Sequence, residues 1–234
     1  MRAIILAGGK GTRLRPYTVS LPKPLVPVGE YPILEIVVRQ LIKHNFTHIT
    51  LAVNHLADVI MAFFGNGSRW GVKIDYSVED EMLSTMGPLK LIKDLPEHFL
   101  VMNGDVLTDL NFNDFFYSHV RDGSNIFTVA TSCRKVKSEY GVIKAGADGK
   151  IIEFHEKPEI EYNVSMGVYM ASREVLKYIP DNVPYGFDQL MNDLIEKKRN
   201  AVVIPYRGYW LDIGRPDDYQ QAVEEFDSMK RIFL

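Results

Sequence analysis

The chain has almost no cysteine, no long apolar run and no surplus of positive charge. Its 234 residues include one cysteine, Cys133. That excludes an intrachain disulfide framework and fits a reducing compartment, so a cytoplasmic location is expected. Cys133 itself reads as a small buried strand residue. No apolar stretch approaches the ~20 residues of a membrane-spanning helix. The opening MRAIILAGG is too short for a secretion signal, and Lys10 and Arg13 follow it at once. No membrane partner is expected. Twenty-seven Lys and Arg against 30 Asp and Glu leave a net charge of −3. No basic patch therefore points to nucleic acid. No internal repeat, low-complexity linker or composition shift divides the chain, which reads as a single domain over residues 1–234.

What is present is alternation. Apolar runs over 2–7, 48–53, 72–78, 98–105 and 125–132 read as strands. Between them lie helical patterns over 33–44, 56–65 and 87–95, and a helix that Asn111 opens and that runs to about 121. This order predicts an α/β fold of three layers, α/β/α, around a mostly parallel mixed sheet. The second half changes texture. Residues 140–158 read as a β-hairpin turning at Asp148-Gly149, forming a small lobe folded over the same sheet. A strand over 165–172, a helix over 187–198, two short strands and a last helix from Pro216 to about Met229 complete the pattern.

The densest feature is LAGGKGTRLRPYTVSLPKPLVPV, residues 6–28, directly after the first strand. A dinucleotide fingerprint needs G-x-G-x-x-G, but Leu14 follows Gly9-Lys10-Gly11-Thr12-Arg13 and the third glycine is missing. A P-loop needs G-x-x-x-x-G-K-[ST], which is absent too. Gly8, Gly9 and Gly11 can nonetheless turn backbone N–H groups toward an anion. Arg13 adds a planar, permanently charged fork. Lys23 stands between Pro22 and Pro24, which predicts an extended, stiff backbone under its ammonium group.

This stretch resembles the signature of the sugar-phosphate nucleotidylyltransferases, NDP-sugar pyrophosphorylases that join a sugar 1-phosphate to an NTP. The likeness continues at LSTMGPL (83–89), VMNGD (101–105), YGVI (140–143), EFHEKP (153–158), SMGVYM (165–170) and WLDIGRPDDY (210–219), in the family's order. The resemblance implies a Rossmann-like fold, with a nucleotide-binding half over about 1–120. A sugar-binding half, including the hairpin lobe, follows over about 121–234. It also implies Mg²⁺ as cofactor, NTP and sugar 1-phosphate as small-molecule partners, and a homo-oligomer.

The reaction needs no general base, because a sugar phosphate with a second pKa near ~6 is already anionic. The absence of a Ser/His/Asp arrangement is thus no objection. Catalysis should consist of positioning and charge stabilisation. By resemblance, Arg13, Lys23 and Asp105 are the catalytic candidates, with Arg13 on the leaving phosphates and Lys23 at the centre of attack. Asp105 and Asp212 would hold the metal, if both strands that precede them join the parallel sheet. Nucleotide binding falls to Leu6, Ala7, Gly8, Gly9, Gly11, Thr12, Arg13, Glu79, Met86 and Gly87. Sugar-phosphate binding falls to Gly141, Glu156, Lys157, Ser165 and Gly167.

Two departures bear on the substrates. Leu83-Ser84-Thr85-Met86-Gly87-Pro88 stands where the family has L-G-T-A-G-P, and Ser165-Met166-Gly167 where it has N-A-G. Met86 and Met166 either reshape the pockets or pack beneath them. The acidic run SVEDEMLS (77–84) resembles that of mannose-1-phosphate guanylyltransferases, and Glu79 or Glu81 could accept hydrogen bonds from guanine. GTP is therefore the expected nucleotide and a hexose or heptose 1-phosphate the expected acceptor. UTP or dTTP dependence, and a non-catalytic NDP-sugar-binding regulatory subunit, are the alternatives.

Overall fold

A computed structural model describes all 234 residues. In chain order the elements are β1 (Arg2–Leu6), β2 (Pro27–Val28), β3 (Tyr31–Pro32), α1 (Ile33–Lys43), β4 (His48–Val53), α2 (Ala57–Phe64) and β5 (Lys73–Val78). There follow β6 (His98–Asn103), β7 (Val106–Thr108), α3 (Phe112–Val120), β8 (Phe127–Lys137), β9 (Val142–Ala145), β10 (Ile151–His155) and β11 (Glu159–Ser172). The chain closes with α4 (Phe187–Glu196), β12 (Ala201–Tyr206), β13 (Trp210–Asp212) and α5 (Pro216–Phe233).

Seven strands form one sheet in the order β12-β8-β11-β6-β1-β4-β5. Six run parallel and β11 opposes them. This is the mostly parallel mixed sheet that the alternation predicts. Strands such as Ala3–Ile5 and Phe99–Met102 are fully buried, so both faces must be covered. On one face Leu34, Val37, Val38 and Leu41 of α1, Ile60 and Phe64 of α2 and Phe112 and Phe115 of α3 form a core with Ala3 and Ile5. On the other, Leu190 and Leu194 of α4 pack with Ile4, Phe99 and Val101. A third cluster joins α5 to the far side of α1 through Phe226, Phe233, Ile33 and Ile36.

Local chemistry sets several boundaries. The Asn111 side chain accepts from the N–H groups of Asn113 and Asp114, capping α3 where the sequence reading starts it. α5 begins at Pro216 with Asp217 and Asp218 in its first turn and ends with Lys230 and Arg231 in its last, matching the helix dipole. It extends past Met229 to Phe233 because Phe233 is buried.

Four expectations need correction. Residues 87–95 do not form a helix of that length, only a 3₁₀ turn over Gly87–Leu91. Leu89, Ile92 and Leu95 reach the core at a spacing of three, and Asp94 breaks the run with φ +63°. The hairpin lobe is not folded over the sheet. β8 and β11 run on past the core as a two-stranded ribbon with β9 and β10 at its tip, and no residue from 133 to 163 is buried. Cys133 is consequently exposed, since no layer covers the ribbon there. β13 does not join the parallel sheet but pairs antiparallel with β7.

Candidate active site

β1 pairs with β4 on one side and β6 on the other, and the chain visits β4 and β5 before it returns to β6. Successive connections therefore leave β1 in opposite directions. The reversal opens a crevice at the carboxyl ends of β1 and β6. The glycine loop and Asp105 both emerge there. Gly104 donates its N–H to the Leu6 carbonyl at 2.9 Å, and Ala7 donates to that of Ala52 at 2.8 Å. A Cβ on Gly8 would lie 3.2 Å from both Asn54 Cβ and Glu79 Oε1. Gly11 has φ +61°, and a Cβ there would sit 2.9 Å from Lys23 Cβ. These contacts leave little room for a side chain at Gly8, favour glycine at position 11, and seat the loop against the lysine segment. Leu14 is buried, which leaves Thr12 and Arg13 exposed at the rim.

Lys23 is not extended. It begins a single 3₁₀ turn, Lys23–Leu25, closed by Leu25 N–H to the Pro22 carbonyl at 2.8 Å. Burial of Pro24, Leu25 and Val26 sets this turn and overrides the bias of Pro24 on its predecessor. The Lys23 ammonium pairs with Asp105 Oδ2, the two side chains being 11% and 19% exposed. Asp105 Oδ1 is buried with no hydrogen-bond partner.

Asp212 reaches the same point by a different route. Its residue pairs with Val106 across the β7–β13 ladder, and Ile213 donates its N–H to the Asp105 carbonyl at 3.0 Å. Burial raises the Asp212 pKa and the Asp105 charge raises it further, against the pull of Lys23 and Arg13. Gly214 packs between Asp212 and Arg13: a Cβ on it would lie 3.7 Å from Asp212 Oδ1 and 3.6 Å from the Arg13 guanidinium. Two neighbouring carboxylates, one with an orphaned oxygen, are a donor set that fits a hard divalent cation. Asp105 and Asp212 are the residues that would hold Mg²⁺.

The cleft encloses about 560 Å³. Leu6, Ala7, Gly8, Gly9, Gly11, Thr12, Arg13, Lys23, Glu79 and Asp105 all line it. So do Asn54 and Asn103, which the sequence reading missed. Each lies at or just past the carboxyl end of a parallel strand next to β1, and that position was the available signal. Asn54 donates its amide to the Glu79 carbonyl at 2.8 Å. Glu79 is buried, accepts the Leu83 N–H on Oε2 at 2.9 Å, and has its pKa raised by burial. A second hollow of about 660 Å³ lies beneath β4 and β5, but its buried cation, Arg2, is already engaged by Thr50 and the Asp94 carbonyl.

The remaining candidates lie elsewhere. Met86 is fully buried in the core with Leu89 and Tyr185 and does not line the cleft, so its expected nucleotide contact is corrected to packing beneath it. Met166 is equally buried. Gly87 is buried and donates its N–H to the Tyr185 carbonyl at 3.0 Å. Ser84 lines the cleft with φ +64°, a left-handed conformation that explains glycine at this place in the related motif. Gly167 has φ +71°, and a Cβ there would meet the Asn103 amide at 2.6 Å, so it backs the cleft directly. Ser165 Oγ accepts from the Gly167 N–H at 3.3 Å. Gly141, Glu156 and Lys157 lie exposed on the arm, away from the cleft lining, with Lys157 at φ +44°.

The profile of the nucleotidyl transferase family matches residues 2–228, and the chain belongs to that family. It is 35% identical to UTP–glucose-1-phosphate uridylyltransferase from Synechocystis sp. and 36% identical to mannose-1-phosphate guanyltransferase beta-B from Xenopus laevis. These alignments cover 95% and 94% of the chain, which spans 62% of the length of each relative. Its structure is similar to that of HddC from Yersinia pseudotuberculosis complexed with GMP-PN. There the TM-score is 0.73 at 25% identity, over 96% of this chain and 99% of that one. No helix is long and apolar enough to cross a membrane.

Proposed function

We propose that the chain is a sugar-1-phosphate nucleotidylyltransferase that joins a hexose or heptose 1-phosphate to GTP, giving an NDP-sugar and pyrophosphate. The observation that carries this reading is the Lys23–Asp105 pair, facing the glycine loop with one Asp105 oxygen unpartnered. In the proposed reaction an oxygen of the sugar phosphate attacks the α-phosphorus in line, forming one P–O bond as the bond to pyrophosphate breaks. N–H groups of the loop around Gly8, Gly9 and Gly11 hold the triphosphate. Arg13 at the rim takes the charge that develops on the pyrophosphate, and Lys23 sits beside the oxygens of the α-phosphate. Asp105 and Asp212 would hold Mg²⁺, which would neutralise phosphate charge when bound. Glu156 and Lys157 bind the sugar phosphate from the arm. A single unbridged cysteine suits action in the cytoplasm.

GTP is favoured because Glu79 lines the cleft beside Gly8 and uses only Oε2 within the chain. Its other oxygen can accept from guanine N1–H or the 2-amino group. The names of the relatives support the class and cover both guanylyl and uridylyl transfer. The test is pyrophosphate release across a matrix of NTPs and sugar 1-phosphates with Mg²⁺. Release with GTP above UTP and dTTP is expected. Release greatest with UTP or dTTP would correct the base, and tight NDP-sugar binding without release would replace the enzyme by a sensor.

A further inference from the structure

Between Thr12 and Ser20 the chain runs over the surface and buries only two residues, Leu14 and Thr18. Both hold the same atom. The Gly11 carbonyl oxygen accepts the Leu14 N–H at 2.9 Å and the Thr18 hydroxyl at 2.7 Å. A carbonyl oxygen has two lone pairs, so this one is saturated. Thr18 is 4% exposed and does not line the cleft. Its methyl closes the space over Gly11: a Cβ there would lie 3.0 Å from Thr18 Cγ2.

Fixing that oxygen fixes a donor. The Gly11–Thr12 peptide is trans, so its N–H points opposite to its carbonyl. With the carbonyl tied to the buried Thr18, the Thr12 N–H is turned away from it. That N–H finds no acceptor in the chain, and neither do those of Gly8, Gly9, Lys10 and Gly11. All five residues line the cleft. Successive unpaired backbone N–H groups form a concavity for an anion. Gly11 itself sits at φ 61° and ψ 27°, and glycine restrains its neighbouring peptides less than any other residue. The direction of the Thr12 N–H is therefore set by what holds the Gly11 carbonyl.

We propose that Thr18 is a positioning residue for the nucleotide. Its hydroxyl holds the Gly11–Thr12 peptide with the Thr12 N–H facing the triphosphate, and it does so without touching substrate. Without that hydroxyl the Gly11 carbonyl keeps only the Leu14 N–H, and the peptide can tilt about a single bond. The loop would still close, because Leu14 stays buried, but one of its donors would no longer be aimed. This inference rests on the reading that the glycine loop holds the triphosphate.

The experiment compares Thr18→Val, which keeps the branched shape and removes the hydroxyl, with Thr18→Ser, which keeps the hydroxyl. Two readouts are taken on the full chain: steady-state pyrophosphate release, and the Kd of inorganic tripolyphosphate, which needs no turnover. Thr18→Val is expected to lower kcat/KM for the nucleotide by about tenfold and to weaken tripolyphosphate binding by a similar factor. KM for the sugar phosphate is expected to stay within about twofold of the wild type. Thr18→Ser is expected to restore the first two to within about threefold. A valine variant with wild-type kcat/KM and Kd overturns the proposal even if its melting temperature falls, because the hydroxyl then serves stability alone. So does an equal rise in both KM values, or a serine variant as impaired as the valine one. A wild type that binds tripolyphosphate more tightly than Thr18→Val, yet releases no pyrophosphate, upholds this inference and removes the reaction proposed above. Should Thr18→Val fail to fold, Thr18→Ala against Thr18→Ser isolates the same hydroxyl.

Discussion

The cleft and the arm both carry polar residues of the kind a phosphate chemistry needs, but they are held in different ways. In the cleft several of these residues have a fixed neighbour. Lys23 is paired with Asp105, Glu79 with the Leu83 N–H, and Asn54 with the Glu79 carbonyl. The strands beneath are fully buried. On the arm, Glu156 and Lys157 have only a two-stranded hairpin beneath them, with no core on either side. The proposed centre for nucleotidyl transfer is thus preformed, whereas the residues proposed to bind the acceptor stand on a segment outside the core.

Substitutions can separate the two regions. The largest effect is expected for Lys23→Ala, which removes a charge at the proposed position of the transferring phosphate and should lower kcat by about 10²–10³. Pyrophosphate release at saturating substrates measures it. Lys157→Ala should mainly raise KM for the sugar phosphate, by roughly tenfold or more, with KM for GTP unchanged. An equal rise in both constants would erase the distinction between the regions. Glu79→Gln should reduce the preference for GTP over UTP by about tenfold, read as the ratio of kcat/KM values.

A smaller effect concerns the body of the fold. His119 is buried between His98 (3.1 Å) and Thr128 Oγ1 (2.8 Å), and burial, then the nearby His98, lowers its pKa to about 4. The unfolded chain binds this proton near pH 6.5, so stability is fully present above that value. It should fall as pH drops toward 4, by up to ~3 kcal/mol. Melting temperatures between pH 7.5 and 4.5 measure the loss, and His119→Gln should flatten the profile. Smallest is Ser84→Gly. It relieves a left-handed serine and should leave the fold unchanged or more stable by less than ~1 kcal/mol.

The sequence exposed the parts of this account that depend on period and turn chemistry. Alternating strands and helices gave the sheet, and the Gly8–Arg13 loop with Asp105 marked its ligand edge. It concealed what depends on tertiary partners. Lys23 takes a 3₁₀ turn because Leu25 and Val26 are drawn into the core, against the preference of a residue before proline. Met86 sits where the related motif has alanine at a pocket, yet a buried cluster with Leu89 and Tyr185 absorbs it. Asp212 arrives from a separate β7–β13 ladder, because its short strand pairs with the distant β7 instead of extending the main sheet. The arm looked like a lobe over the sheet, since hairpin periodicity says nothing about what a hairpin packs against.

The most direct measurement on the central claim is pyrophosphate release by Asp105→Asn under conditions where its melting temperature matches the wild type. This substitution keeps the shape of the side chain and removes the charge shared by Lys23 and the proposed Mg²⁺ site. A fall of at least about 10²-fold in rate is the predicted result. Release at the wild-type rate would contradict the assignment of this cleft as the site of nucleotidyl transfer.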